Sequence, residues 1–523
     1  MNFAPIDIIV FASYIAIIIT VALFVSRKKK GEVQTTRDYF LAGNTLPWWA
    51  IGTSLIAANI SAEQLIGMTG DGFTVGLAVA SYELMAAATL IVVAKYFLPI
   101  FLEKKIYSMP QFLDLRYDGR VRTIMSILWL FLYVFVNLTS IMYLGAVCIK
   151  AVFGVPLVTA IVCIAFFSAI YTILGGLKAI AYTDFIQVAF LVVGGLITTY
   201  LALDKFSGGA GVLDGMSMLM TKLPEKFDLI FTPDQPFYSY LPGLAVIIGP
   251  MWIINLNYWG CNQYITQRAL AAKNLDEAQK GLMFAGFLKL LMPFIVVLPG
   301  IIAFGLNAPI GKQDETYPWL LNTFLFPGVK GIAFAALVAA VVGSLSSKTN
   351  SIATIFTMDV YKPFFGKDKS ETQLVTIGRI TTAVSLVIGV LIAPFIENFG
   401  GGFKFIQEFT GFFSPGIFAI FIFGLFWKRA TAQGALWVAI MTLPISLIFY
   451  FVPQLYAIPF IIRMGYVFAI VSAIMIGVSL MNKQERDAKS IVFTPTLFKT
   501  SSVFNIGALV IIAILCVVYY IFW

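Results

Sequence analysis

The sequence has no histidine, and only 12% of its 523 residues are charged. Without histidine there is no Ser-His-Asp triad, no histidine-ligated zinc hydrolase and no histidine proton relay. A soluble protein carries about a quarter charged residues, so the second shortage excludes an ordinary soluble domain. Cysteine is scarce too. Cys148, Cys163, Cys261 and Cys516 each lie in an apolar segment, without CxxC or metal-ligand spacing, and read as small hydrophobes. Period-2 alternation in ~10-residue strands is missing, which excludes a transmembrane β-barrel.

What the chain does have is apolar length. Hydrophobic residues make up 60% of it. They recur in runs of about 18 or more, each long enough to cross a hydrocarbon core of roughly 30 Å. The reading is an all-α membrane protein with 14 transmembrane helices. The net charge of +9 does not point to nucleic acid, because it follows the loops rather than one soluble face. Twenty-four basic residues fall in one set of alternate loops and seven in the other. The positive-inside rule makes the richer set cytoplasmic and places both termini outside. The run over 7–26 is followed by "RKKK" rather than preceded by it, so it reads as a retained helix and not a signal peptide.

Two segments differ from ordinary spans. Residues 47–69 contain "AANISAEQLIG", and 241–266 contain "GPMWIINLNYWGCNQYIT". Both carry small and polar residues at mid-membrane, and they lie five helices apart. An odd number of helices reverses orientation. Helices 2–6 and 7–11 are therefore expected to be inverted repeats, each opening with a broken helix and meeting at a central site. The expected organisation is an extra N-terminal helix and cytoplasmic loop over 1–46, a first repeat over 47–204 and an external loop over 205–240. A second repeat follows over 241–428, then three peripheral helices over 429–523. Irregular backbone is tolerated at membrane depth only where it lines a protein-enclosed cavity. Residues 57–64 are accordingly expected to leave the helix.

Ionisable residues deep in a membrane are costly, and each is a candidate site residue. Here they are Glu63, Glu83, Asp184, Lys289 and Lys348, with Gln64, Asn255, Asn257, Asn262, Gln263 and Gln407 as neutral polar company. Tyr82, Tyr258, Trp259 and Phe403 lie beside them. The set suits a sugar. Glu83 accepts, Lys289 donates, Gln64, Asn255 and Gln407 do either, and Tyr258 offers a ring to stack on. A Glu83–Lys289 pair that only locks two helices together is the structural alternative. Asp184 reads either as a cation exit residue or as an interfacial carboxylate. "GSLSSKT" over 343–349 falls short of the phosphate-binding loop pattern, since Ser347 stands at the second glycine and the context is a membrane helix.

"DYFLAGNTLPWWAIGTSLIAANISAEQLIG", "GGLKAIAYTDFIQ", "NYWGCNQYITQRALAAKN", "ATIFTMDVYK" and "FIQEFTGFFSPGIFA" resemble the sodium/solute symporter family, in its sodium–glucose/galactose branch. The likeness runs in order along nearly the whole chain. It implies a LeuT-like core of two inverted five-helix repeats, with one extra helix before and three after. By this resemblance Gln64, Glu83, Asn255, Lys289 and Gln407 bind the sugar and Tyr258 stacks on it. Met68, Tyr82, Phe403 and Trp259 serve as gates. Carbonyls of Ala57, Ile60 and Ala340, with the hydroxyl of Ser344, hold sodium.

The chain departs from the family at three places. Gly343-Ser344 stands where the family has two adjacent hydroxyl residues, and Ala86 where a serine contacts the sugar. Lys348 takes a position that is usually apolar, one helical turn after Ser344. Its ammonium either acts on the cation site, as a modifier of coupling, or points into the cytoplasmic vestibule. The expected function is sodium-coupled hexose symport into the cell across the plasma membrane. Proton-linked or uncoupled carriage, or a sugar sensor, are the alternatives. No cofactor, nucleic acid or enzymatic activity is expected. Sodium is a co-substrate, the partners are a hexose and the bilayer, and the sequence does not indicate an oligomeric state.

Overall fold

The computed structural model describes residues 4–27, 34–399, 402–482 and 487–523. Among the described residues there is no strand, and every regular element is helical. Among the described residues, twelve helices are long and apolar enough to cross a membrane, from Pro5–Ser26 to Ser502–Ile521. The expected count of fourteen is not met by this measure. The two expected spans that fall short are 47–69, which is interrupted, and 156–175, whose apolar part is the short helix Leu157–Ile170.

Both predicted interruptions exist, and the first is narrower than expected. The helix Trp48–Asn59 stops at Ile60, whose backbone is extended (φ −77°, ψ 115°). A π-helical turn, Glu63–Met68, follows at once and leads into the short helix Thr69–Thr74. Residues 57–59 stay helical, so the expected unwinding over 57–64 reduces to the Ile60–Ser61 link. That is enough, because the last four carbonyls of a helix lose their intrahelical partners wherever it stops. In the second segment a kink at Gly249 precedes Pro250–Leu256 and a π-helical turn, Asn257–Cys261. The chain is then extended at Asn262 (φ −85°, ψ 126°) before Gln263–Leu270.

The helix Val329–Ile355 runs through the centre, with almost every residue after Phe334 buried. Its Ala, Gly and Ser side chains let neighbouring backbones approach closely, as membrane helices require. A long helical stretch, Leu157–Phe206, packs against it and turns at Gly176, where φ is +58° and a Cβ would meet the Tyr39 carbonyl oxygen at 2.5 Å. Only glycine accepts both conditions without strain.

Polar side chains hold helix ends in place. Asp7 Oδ1 accepts from the backbone N–H groups of Gly328 (2.7 Å) and Gly331 (2.9 Å), fixing the first helix to the start of the central one. Buried Arg116 donates to the carbonyls of Gly424, Trp427 and Ala430 at 2.8–3.1 Å, closing the helix Gly402–Phe426. Lys226 donates to the carbonyls of Phe73 (3.1 Å) and Thr74 (2.5 Å), closing the C-terminal half of the first interrupted helix. At the other end, Leu46 pairs with the segment at Ala272. Its N–H donates to Ala271 O and its carbonyl accepts from Lys273 N–H, while Asn44 Nδ2 donates to Leu270 O at 2.7 Å.

Candidate functional site

The two interruptions border a cavity of about 190 Å³. Its wall draws on both interrupted helices and on Leu77–Glu103, Leu275–Gly305, the central helix and Gly402–Phe426. The candidates Gln64, Glu83, Asn255, Tyr258, Lys289, Met68, Tyr82, Trp259 and Lys348 all line it. Phe403 and Gln407 lie outside the described residues as far as their side chains are concerned. Phe460, Ile461 and Met464 also line it, so one of the three helices expected to be peripheral reaches the cavity.

One hydrogen-bonded network runs across the wall. Lys289 Nζ donates to Glu83 Oε2 at 2.5 Å and also to Asn59 Oδ1. Gln64 Nε2 donates to Glu83 Oε1 at 2.9 Å. Asn59 Nδ2 donates to the Tyr258 hydroxyl at 2.9 Å. Lys289 Nζ also lies 5.3 Å from the Trp259 ring centroid, within reach of a cation–π contact. Asn59 thus ties the lysine to the tyrosine. It belongs to the polar cluster of the first interrupted segment but carries no assigned role in the sequence reading. Its position one residue before the break is the signal that would have found it.

The Glu83–Lys289 pair is buried on both sides, and two charges removed from water need many partners. Here each has a second one. Several acceptors on the same wall have none: Glu63 Oε1, Gln64 Oε1, Asn257 Oδ1 and Thr410 Oγ1 are buried without a hydrogen-bond partner. An unmade hydrogen bond at a buried group costs about 1–3 kcal/mol. Such groups point to a solute that brings donors. Asn255 is turned partly inward on its own helix, donating to Met251 O at 3.0 Å.

Below the first break, Ser344 Oγ lies 3.3 Å from the carbonyl oxygens of Ala57 and Ala58 and 3.1 Å from that of Ile60. Ala340 is buried one turn earlier on the same helix. The released carbonyls and the hydroxyl together present oxygens to a hard cation. Asp184 is fully buried and accepts from Ser54 Oγ at 2.5 Å. Arg268, absent from the sequence candidates, donates to Ser54 Oγ at 3.0 Å, to Ser347 Oγ and to Tyr264 O. It bridges the first interrupted helix to the central one.

Lys348 is 4% exposed. It lines the central cavity, with its ammonium 4.5 Å from the Tyr264 ring centroid. Tyr264 packs edge-on against Tyr258 and Tyr133, so the lysine rests on the aromatic floor under the network. Ala86 lines the cavity, leaving open the space a larger side chain would fill.

Comparison with known proteins identifies the family. The model of the sodium:solute symporter family matches residues 39–442. A sodium/glucose cotransporter of Vibrio parahaemolyticus is 49% identical over 99% of this chain and 98% of its own. A human sodium/myo-inositol cotransporter 2 is 33% identical over 85% of this chain and 69% of its own. A Na+-coupled sialic acid symporter, solved in a substrate-bound outward-open state, superimposes with a TM-score of 0.81, covering 92% of this chain and 99% of that one. At 22% identity it shows the shared fold alone. The chain is a multi-pass membrane transporter, not an enzyme, and it belongs to the sodium:solute symporter family.

Proposed function

We propose that this transporter carries a hexose into the cell together with sodium, by alternating access across the plasma membrane. The observation that carries the reading is the cavity wall: a charged, doubly hydrogen-bonded Glu83–Lys289 pair beside buried acceptors with no protein partner. A ring of hydroxyls supplies the donors those acceptors lack, and its apolar face fits the Tyr258 ring. Two relatives are named for glucose and for myo-inositol, which are both polyhydroxylated rings. Gln64, Glu83, Asn255, Lys289 and Gln407 bind the sugar in this reading, and Met68, Tyr82, Trp259 and Phe403 gate it. Carbonyls of Ala57, Ile60 and Ala340 with Ser344 hold sodium, and Asp184 lies on its way out.

The architecture proposed with it counts the interrupted segment and the Leu157–Ile170 helix as spans. That gives fourteen helices, with both termini outside and two inverted repeats. A shared irregularity supports the repeats. The second helix of each carries a π-helical turn, Val93–Phe97 and Pro293–Val297, followed at once by Leu-Pro at 98–99 and 298–299.

Sodium bound between the break and Ser344 steadies the first interrupted helix against the central one and so favours sugar binding from outside. Counterflow into proteoliposomes with a panel of hexoses, with and without sodium, tests the reading. Sodium-dependent exchange of glucose or galactose is the expected result, and equal sugar affinity with and without sodium overturns it. A second reading, proton-linked or uncoupled carriage, is favoured by one observation, the Lys348 ammonium on the cavity wall. Uptake driven by an imposed pH gradient and indifferent to sodium would establish it.

A further inference from the structure

We propose that Gln187 supplies the cation site with the oxygen that Gly343 cannot. The inference rests on the sodium-coupled reading above. Gly343 and Ser344 are neighbours on the central helix, and Ser344 reaches the released carbonyls of the first interrupted helix. A side chain at 343 would point to the same place, since its Cβ would lie 3.3 Å from the Ala57 carbonyl oxygen and 3.5 Å from Ala57 Cβ. That space is taken. The same Cβ would fall 2.5 Å from Gln187 Oε1, closer than atoms in van der Waals contact can come. The amide oxygen of Gln187 stands where the stem of a second hydroxyl residue would stand.

The placement of Gln187 follows from how its helix is keyed to the first interrupted one. Asp184 Oδ2 accepts from Ser54 Oγ at 2.5 Å. One turn further out, Gln187 comes beside Gly343 and Ala57, and Ser54 and Ala57 are themselves three residues apart. The two contacts are successive rungs of one packed interface. Gln187 is 1% exposed, so its oxygen is held rather than mobile. Amide carbonyls are hard, neutral oxygen ligands of the kind that alkali and alkaline-earth cations accept. Glycine at 343 leaves the space on one helix open, and the long side chain of Gln187 brings an oxygen into it from the facing helix. Because the amide is neutral, the bound ion keeps its full charge.

The test uses the full-length purified protein and two readouts. One is thermal stabilisation by sodium at constant ionic strength, with choline as the replacement. The other is the sodium concentration for half-maximal sugar uptake. Gln187→Leu removes the oxygen and keeps the bulk, and half-saturating sodium should rise about tenfold or more. Gln187→Glu, with a carboxylate oxygen in the same place, should lower it by about threefold or more. Gly343→Ser alone should also weaken sodium binding through the clash, and adding Gln187→Ala should restore it. A folded Gln187→Leu protein with the wild-type sodium response overturns the proposal while leaving sodium coupling intact. If Gln187→Leu does not fold, Gln187→Glu decides, and an unchanged half-saturation overturns the proposal. A wild-type protein that ignores sodium in both readouts overturns the coupled reading, and this inference falls with it.

Discussion

Asn59 shows what single residues contribute here, because both its donor and its acceptor are engaged by cavity residues from other helices. Lys289→Ala should abolish sugar uptake and also lower thermal stability, since Glu83 is left buried and unpaired at a cost of about 3–5 kcal/mol. The double change Lys289→Ala, Glu83→Gln should recover the stability but not the transport, as a melting curve and an uptake assay together would show. Tyr258→Phe keeps the ring and loses the hydroxyl that accepts from Asn59 Nδ2. It should weaken apparent sugar affinity about fivefold, whereas Tyr258→Ala loses the stacking face as well and should lose measurable uptake. Lys348→Met removes a cation from the cavity wall and should lower half-saturating sodium in the same assay. An unchanged value would give the lysine no part in coupling. The ionisable candidates were legible in the sequence because charge inside an apolar run is rare. Gln187 was not, because a glutamine in a membrane helix looks like any interhelical hydrogen bonder. Only the packing of Gly343 against it shows which space it fills.

At the scale of the element, the place of each interruption was legible and its form was not. Pro250, Gly249 and the polar clusters announce broken helices, but the first break is a two-residue link flanked by helix, not an unwound loop. Nor does any composition signal foretell the π-helical turns, which arise where one extra residue is accommodated within a continuous helix. The C-terminal half of the first interrupted helix is sealed by close backbone contact. A Cβ on Gly300 would lie 2.1 Å from Thr69 O and 2.6 Å from Phe73 N. Gly300→Ala should therefore push Thr69–Thr74 off its neighbour, costing about 1–3 kcal/mol in a denaturation experiment and lowering uptake. A transport-competent variant of wild-type stability would show that this contact yields without penalty.

For the whole molecule, a symporter that moves one net charge inward with its sugar gains ~2.3 kcal/mol per 100 mV of inside-negative potential, about fiftyfold in accumulation. A potassium-diffusion potential imposed on proteoliposomes should raise sugar accumulation accordingly. Insensitivity to it would mean electroneutral carriage. Membrane class, family and the meeting of two interrupted helices were legible in the sequence, since apolar length and ordered motifs survive without coordinates. The reach of Phe460, Ile461 and Met464 into the cavity was not, because a helix at the end of the chain gives no sign of folding back to the centre. Finally, the pairing of Leu46 with Ala271 and Lys273 riveted the foot of one interrupted helix to the foot of the other. Their inner halves cannot spread like the legs of a compass. A pairing kept through the transport cycle makes them tilt as a single piece, and then whatever swings to admit or release the solute bends at Ile60 and Asn262 or belongs to the helices around them.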